Sequence, residues 1–143
     1  MTDLLKLYRM ADQENIVVDC FELDSRETLS VMDDDGECFI AINPLKLTSS
    51  RDETVKLAHE MGHCVTGSFY NSDAACDIRK RHEIRADKWA IKQLIPQEEL
   101  QEAVAAGYSE IWDLAEYFDV PEDLMRKAIC WYKHGNLYVE AYF

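Results

Sequence analysis

His59 and His63 stand four positions apart in the stretch Ala58-His59-Glu60-Met61-Gly62-His63-Cys64, and that spacing ties a local structure to a chemistry. Residues four apart share one face of an α-helix, so both imidazoles reach a common point only if this segment is helical. The flanking residues favour that outcome. Ser50-Arg51-Asp52-Glu53 has the S-x-x-E form of a capping box, in which serine and glutamate satisfy free amides at a helix start, and Gly67 suits a C-terminal stop. A helix is therefore predicted from about Arg51 to Thr66. Its expected inward stripe is Val55, Ala58, His59, Gly62 and Val65, which puts the histidine pair on a buried or half-buried side.

Two neutral imidazoles suit zinc, and a catalytic zinc site takes three protein ligands with a fourth position left to water. Glu60 projects at the edge of the same face, where its carboxylate can accept a proton from that water without being a ligand. The third ligand must come from another segment. An extended H-E-x-x-H-x-x-G-x-x-H pattern would need glycine at position 66 and histidine at 69, but Thr66 and Phe69 stand there. The segment Arg81-His82-Glu83-Ile84-Arg85-Ala86-Asp87 is the better source. Glu83 and Asp87 are four apart and share a predicted helix face with Ala90, Ile91 and Leu94, and acids on an apolar stripe are costly unless paired or bound to metal. Glu83 is assigned as third ligand. Asp87 is assigned as acceptor for the free ring N–H of a ligating histidine. The bland alternatives are a surface glutamate at 83 and a helix salt bridge at 87. His82 is open to three readings, competing ligand, substrate-facing donor or exposed side chain, and the last two are favoured.

The remaining chain reads as an α+β domain. A short helix is expected over residues 2–13, then strands Ile16 to Phe21, Thr28 to Met32 and Glu37 to Ile42. The last two flank Asp33-Asp34-Asp35-Gly36 and form a predicted hairpin ended by Asn43-Pro44. After the histidine helix come a loop over 68–77 and helices over 78–94, 97–106, 109–118 and 121–134, with Ser109 and Pro121 at favourable starts. A small sheet beside the capped helix, followed by a helical C-terminal part, is the expected architecture. At 143 residues a single domain, 1–143, is expected.

Composition narrows the function classes. Fifteen basic against 28 acidic residues give a net charge of −13, which repels nucleic acid and anionic membrane surfaces and suits a protein or peptide partner. Asp113 to Ala128 has the rhythm of a helix-turn-helix, but Asp113, Glu116, Asp119, Glu122 and Asp123 face only Arg126, Lys127 and Lys133 between Ile111 and Gly135. That leaves no basic face for phosphates, and the segment reads as a packing pair. No secretory signal or membrane-length apolar run is visible, so a soluble, cytoplasmic protein is expected. The five cysteines include no C-x-x-C pair and are expected to be reduced, mostly as core filler.

Ala58-His59-Glu60-Met61-Gly62-His63, then Glu83-Ile84-Arg85-Ala86-Asp87-Lys88-Trp89-Ala90, then Leu94-Ile95-Pro96 resembles the ImmA/IrrE family of zinc metallopeptidases over about residues 40 to 130. The resemblance implies a minimal gluzincin-like (zincin) fold holding one Zn2+ per chain. His59, His63 and Glu83 would be its ligands and Glu60 the general base. It further implies a phage or mobile-element setting, in which such proteins cleave or inactivate a helix-turn-helix, DNA-binding repressor. The expected activity is zinc-dependent hydrolysis of peptide bonds. The alternative is a zinc-stabilised anti-repressor that acts by binding with little or no proteolysis. Tyr70, His82, His134 and Tyr138 are candidate oxyanion donors on side-chain type alone, and a structural role is the favoured reading of each.

Overall fold

Three strands and six α-helices make up the described residues, 3–71 and 73–143, of this computed structural model. They run α1 (Leu4–Gln13), β1 (Val17–Cys20), β2 (Thr28–Met32), β3 (Cys38–Ile42), α2 (Ser50–Thr66), α3 (Cys76–Leu94), α4 (Gln97–Ala105), α5 (Ile111–Phe118) and α6 (Glu122–His134). The architecture is α+β, as the periodicities predict. The N-terminal helix was expected from residue 2, and Thr2 lies outside the described residues. Asp3 caps α1 by accepting a hydrogen bond from the Lys6 amide.

The sheet order is β1-β3-β2, with β1 parallel and β2 antiparallel to β3. The predicted hairpin is therefore present, with Val31 opposite Phe39 and Leu29 opposite Ala41. Its turn is held by Asp33, whose carboxylate accepts from the Asp35 and Glu37 amides, and by Gly36 at φ 84°. Central β3 supplies the core residues Cys38, Ile40, Ala41 and Ile42. Buried Asn43, just after it, donates from Nδ2 to the carbonyls of Leu23 and Arg26 and so clamps the connection that leads into β2.

Helix α2 packs on β2, β3 and α1. The capping residue is Ser49, whose hydroxyl accepts from the Asp52 amide, whereas Ser50 is already helical; the helix starts one residue earlier than the predicted box, and Glu53 accepts from the Tyr8 hydroxyl instead. The buried face also differs from the expected stripe. Leu57, Ala58, Met61 and Cys64 point inward, but Val65 is 42% exposed. The reason is the neighbour: α2 is covered on two sides, so Glu60, Gly62 and His63 are buried as well, and the apolar stripe rotates away from Val65.

The cysteines correct another expectation. Cys38 on β3 and Cys64 on α2 form a disulfide with Cα atoms 5.9 Å apart, while Cys20, Cys76 and Cys130 are free. Sequence spacing could not show this, because strand and helix bring together residues 26 positions apart.

The described chain falls into two compact units, one ending at Ala90 and one spanning Ile91–Phe143. The second unit is helical throughout apart from turns. Leu114, Phe118, Leu124, Met125 and Ala128 form its core, and the Tyr132 hydroxyl donates to the Ile95 carbonyl at 2.7 Å. Helix α5 starts at Ile111 with no side-chain cap, not at Ser109, and the turn into α6 uses Asp119 at φ 55°. No helix among the described residues is long and apolar enough to cross a membrane.

Candidate metal centre

The first unit brings His59, His63 and Glu83 to one point. Oε2 of Glu83 stands 2.9 Å from Nε2 of His59 and 2.9 Å from Nε2 of His63, and the two ring nitrogens are 3.3 Å apart. The approach of α3 to α2 that allows this depends on two small residues. A Cβ on Gly62 would lie 2.5 Å from the carbonyl oxygen and 2.9 Å from the Cα of Ala86, so the helix backbones touch where glycine faces alanine. Glu83 precedes Ala86 by one turn and is thereby delivered over the imidazoles.

Each histidine is held from behind. His59 donates from Nδ1 to Asp87 Oδ1 at 2.9 Å, and His63 donates from Nδ1 to the carbonyl of Ser68. The second contact follows from how α2 ends. Gly67 takes φ 65°, the Ser68 amide bonds back to the His63 carbonyl at 2.9 Å, and the chain doubles under the ring it supports. With both Nδ1 atoms committed as donors, both Nε2 atoms present lone pairs.

Two imidazole lone pairs and a carboxylate oxygen thus converge, and three acceptors at this separation repel unless a cation lies between them. A tetrahedral ion with bonds of about 2.0–2.1 Å separates its ligands by about 3.3 Å, so the donor set fits a zinc-like ion with little adjustment. A proton is the other cation that fits. Burial opposes charging His59, but hydrogen bonds to Asp87 and Glu83 outweigh it and push its pKa up to about 10. His63 is also raised, against burial, chiefly through Glu83. Hydrogen bonds from the two histidines hold the Glu83 carboxyl well below the usual range.

A pH prediction follows for protein stripped of metal by chelation. His59 has a higher pKa folded than unfolded, so its contribution to stability is complete below about 6.5 and is lost as pH rises towards about 10. Glu83 has the opposite sign, present above its ordinary value and lost only in strong acid; the two describe one shared interaction and count once. Urea midpoints should therefore fall between pH 6.5 and 10 in the chelated protein. A flat profile, or an equal fall in His59→Gln, would contradict the arrangement.

Glu60 is buried at the side of this cluster, and its carboxylate lies within 4.8 Å of the two imidazoles. His59, Glu60 and His63 thus form a candidate metal-binding group in their own right, beside the hydrogen-bonded Glu83. Burial pushes the Glu60 carboxyl up, partly offset by the two imidazoles and by a hydrogen bond from the Ser30 hydroxyl on β2. Its Oε2 has no hydrogen-bond partner. A desolvated carboxylate with one oxygen free is suited to accepting a proton.

The residues expected at the site are thus together, Asp87 beside His59 in particular. Of the four side chains named as oxyanion candidates, Tyr70 borders the cleft and donates to Glu83 Oε1 at 3.0 Å. The half-buried His82 ring lies 6.0 Å from that of Tyr70. His134 stacks on Tyr142 and, like Tyr138, belongs to the other unit. Ser30 and the Ser68 carbonyl were not foreseen. A backbone acceptor leaves no mark in side-chain identity, and Ser30 reaches Glu60 only through the packing of β2 on α2.

Among known families, the peptidase M78 profile, described as an IrrE N-terminal-like domain, matches residues 11–129. No curated protein matches the chain.

Proposed function

This chain belongs to the M78 peptidase family, and from that membership we propose that it is a zinc-dependent endopeptidase using Glu60 as general base, with His59, His63 and Glu83 as the three protein ligands and one zinc per chain. The observation that carries the proposal is the convergence of two Nε2 atoms and Glu83 Oε2 within 2.9 to 3.3 Å of one another. Zinc bound there supplies a Lewis acid that polarises a carbonyl and lowers the pKa of a water toward about 7. The chain does the rest. Glu60 takes a proton at its free Oε2 and returns it to the leaving amine, while Ser30 fixes the other side of the carboxylate. Asp87 and the Ser68 carbonyl keep both rings in the ligating tautomer. Tyr70 brings a hydroxyl to the cleft, where it can donate to a developing oxyanion.

An extended peptide has a place to lie. Glu27 accepts from the Asn43 amide at 2.9 Å and Asp33 donates to Glu37 at 2.9 Å, so the alternating ladder turns residues 27, 29, 31 and 33 toward β3. Thr28, Ser30 and Met32 hold their backbone groups at the opposite edge, which has no strand neighbour among the described residues. That edge borders a cleft of about 510 Å³ shared with Glu60, His63 and Glu83. Strand addition there carries a substrate carbonyl past Glu60.

We assign the substrate to a regulatory protein, with a DNA-binding repressor of a phage or integrative element as the specific expectation. Its support is the net charge of −13, complementary to a protein that is basic where it meets DNA. A cytoplasmic setting belongs to the same proposal. Elemental mass spectrometry of untagged protein tests the centre: one zinc per chain in wild type, lost in Glu83→Ala with the far-ultraviolet circular dichroism retained. Folded wild type that takes up no zinc when challenged would sink the peptidase reading.

A further inference from the structure

Four charged residues border the cleft: Arg26, Glu60, His63 and Glu83. The last three are committed to the proposed hydrolytic centre. Arg26 is not, and it makes no ion pair among the described residues; its acidic neighbour Glu27 is engaged by Lys56 at 3.1 Å. Its backbone is nevertheless fixed, since the Arg26 carbonyl accepts from the buried Nδ2 of Asn43 at 3.1 Å. An exposed guanidinium on an anchored backbone, in a protein of net charge −13, is a local reversal of sign.

Position gives that charge a target. Arg26 lies two residues before β2, and it lines the same cleft as Thr28 and Ser30 of that strand. It stands four residues from Ser30 beside the Glu60 carboxylate, a separation of at most about 13 Å along the chain. The flexible side chain spans roughly half of that distance. A peptide laid along the edge would therefore present a side chain to Arg26 about two to four residues from the bond beside Glu60. The planar guanidinium recognises a carboxylate through paired hydrogen bonds.

We propose that Arg26 forms a carboxylate-binding subsite, so that the cleft selects peptide segments carrying Asp or Glu about two to four residues from the bond to be cleaved. The inference rests on the peptidase reading for its register, and its test separates the two. Zinc-loaded Glu60→Gln protein is immobilised and offered a random decapeptide pool, and the retained peptides are sequenced by mass spectrometry beside those kept by the Glu60→Gln, Arg26→Glu double variant. Enrichment of Asp or Glu at one position by about fivefold, exchanged for Lys or Arg in the double variant, is expected. The same pool is then digested with wild type and with Arg26→Glu.

Acidic preference within four residues of the cut, inverted by the charge reversal, supports the subsite. Retention with that preference but no cleavage also supports it while removing the hydrolytic reading. Cleavage indifferent to Arg26→Glu overturns the subsite and leaves hydrolysis standing. A preference spread evenly over all ten positions overturns it too, because that is the signature of the whole-molecule field. Failure to retain any peptide above the double variant overturns it as well.

Discussion

Glu60→Gln is expected to lower peptide hydrolysis by about 10²–10⁴-fold, the usual contribution of a positioned general base, while zinc content stays at one per chain. The separation matters because the Glu60 carboxylate lies within 4.8 Å of both imidazoles, close enough for a ligand role to be tested against a base role. Glu83 Oε2 already stands 2.9 Å from each ring nitrogen, which is why metal should survive loss of the Glu60 charge on the proposed ligand set. The same substitution should raise the melting temperature of the chelated protein. Burial pushes the Glu60 carboxyl up and Oε2 lacks a partner, so ionised Glu60 is destabilising at neutral pH and a neutral isostere relieves that cost. Kinetics, elemental analysis and calorimetry on one variant thus read three quantities. Loss of zinc with loss of activity would instead place Glu60 among the ligands.

Gly62→Ala should be far more damaging than one methyl group suggests. Alanine is the better helix former by about 1 kcal/mol, yet the new Cβ would meet Ala86 backbone atoms at 2.5 and 2.9 Å, which cannot rotate aside. The helices must part, and overpacking of this kind costs about 1–3 kcal/mol. The functional effect should be larger. Glu83 moves with α3, so zinc affinity should fall by about 10–100-fold, the range seen when groups supporting metal ligands are disturbed. Zinc titration against a competing chelator reads the affinity, and urea unfolding reads the stability. A variant as stable and as avid as wild type would show that the helices slide past each other without moving Glu83.

The meeting of His59, His63, Glu83 and Asp87 was legible in sequence to the extent that helical geometry is local. His59 with His63, and Glu83 with Asp87, each announce a shared face at a spacing of four, whereas the approach of Gly62 to Ala86 that joins the two faces came only with the fold. The hairpin was equally readable, since Asp33 to Gly36 can do little but turn. What escaped depends on contacts between distant segments. The parallel pairing of β1 with β3 has no signature within either strand, and the Cys38–Cys64 link joins elements whose approach no spacing rule gives. Val65 was misplaced because period alone fixes the width of an apolar stripe, whereas its direction depends on what packs against it. Ser49 rather than Ser50 caps α2 although only Ser50 fits the S-x-x-E pattern, because either serine can cap a helix start and backbone direction chooses between them.

The disulfide acquires a second meaning beside the metal centre. Cys64 adjoins His63 in sequence, so α2 is fastened at neighbouring residues in two directions: covalently to β3, and through the His63 and Glu83 side chains toward α3. Closing the 26-residue separation contributes about 3–4 kcal/mol on the chain-entropy model, and a bound ion contributes by mass action according to its concentration. The two fasteners answer to different features of the surroundings, one to thiol-reducing power and the other to metal supply. On the proposed zinc reading, the ion would become the principal clasp on this helix in a reducing environment, so that zinc scarcity there would be felt as loosened structure as well as lost chemistry.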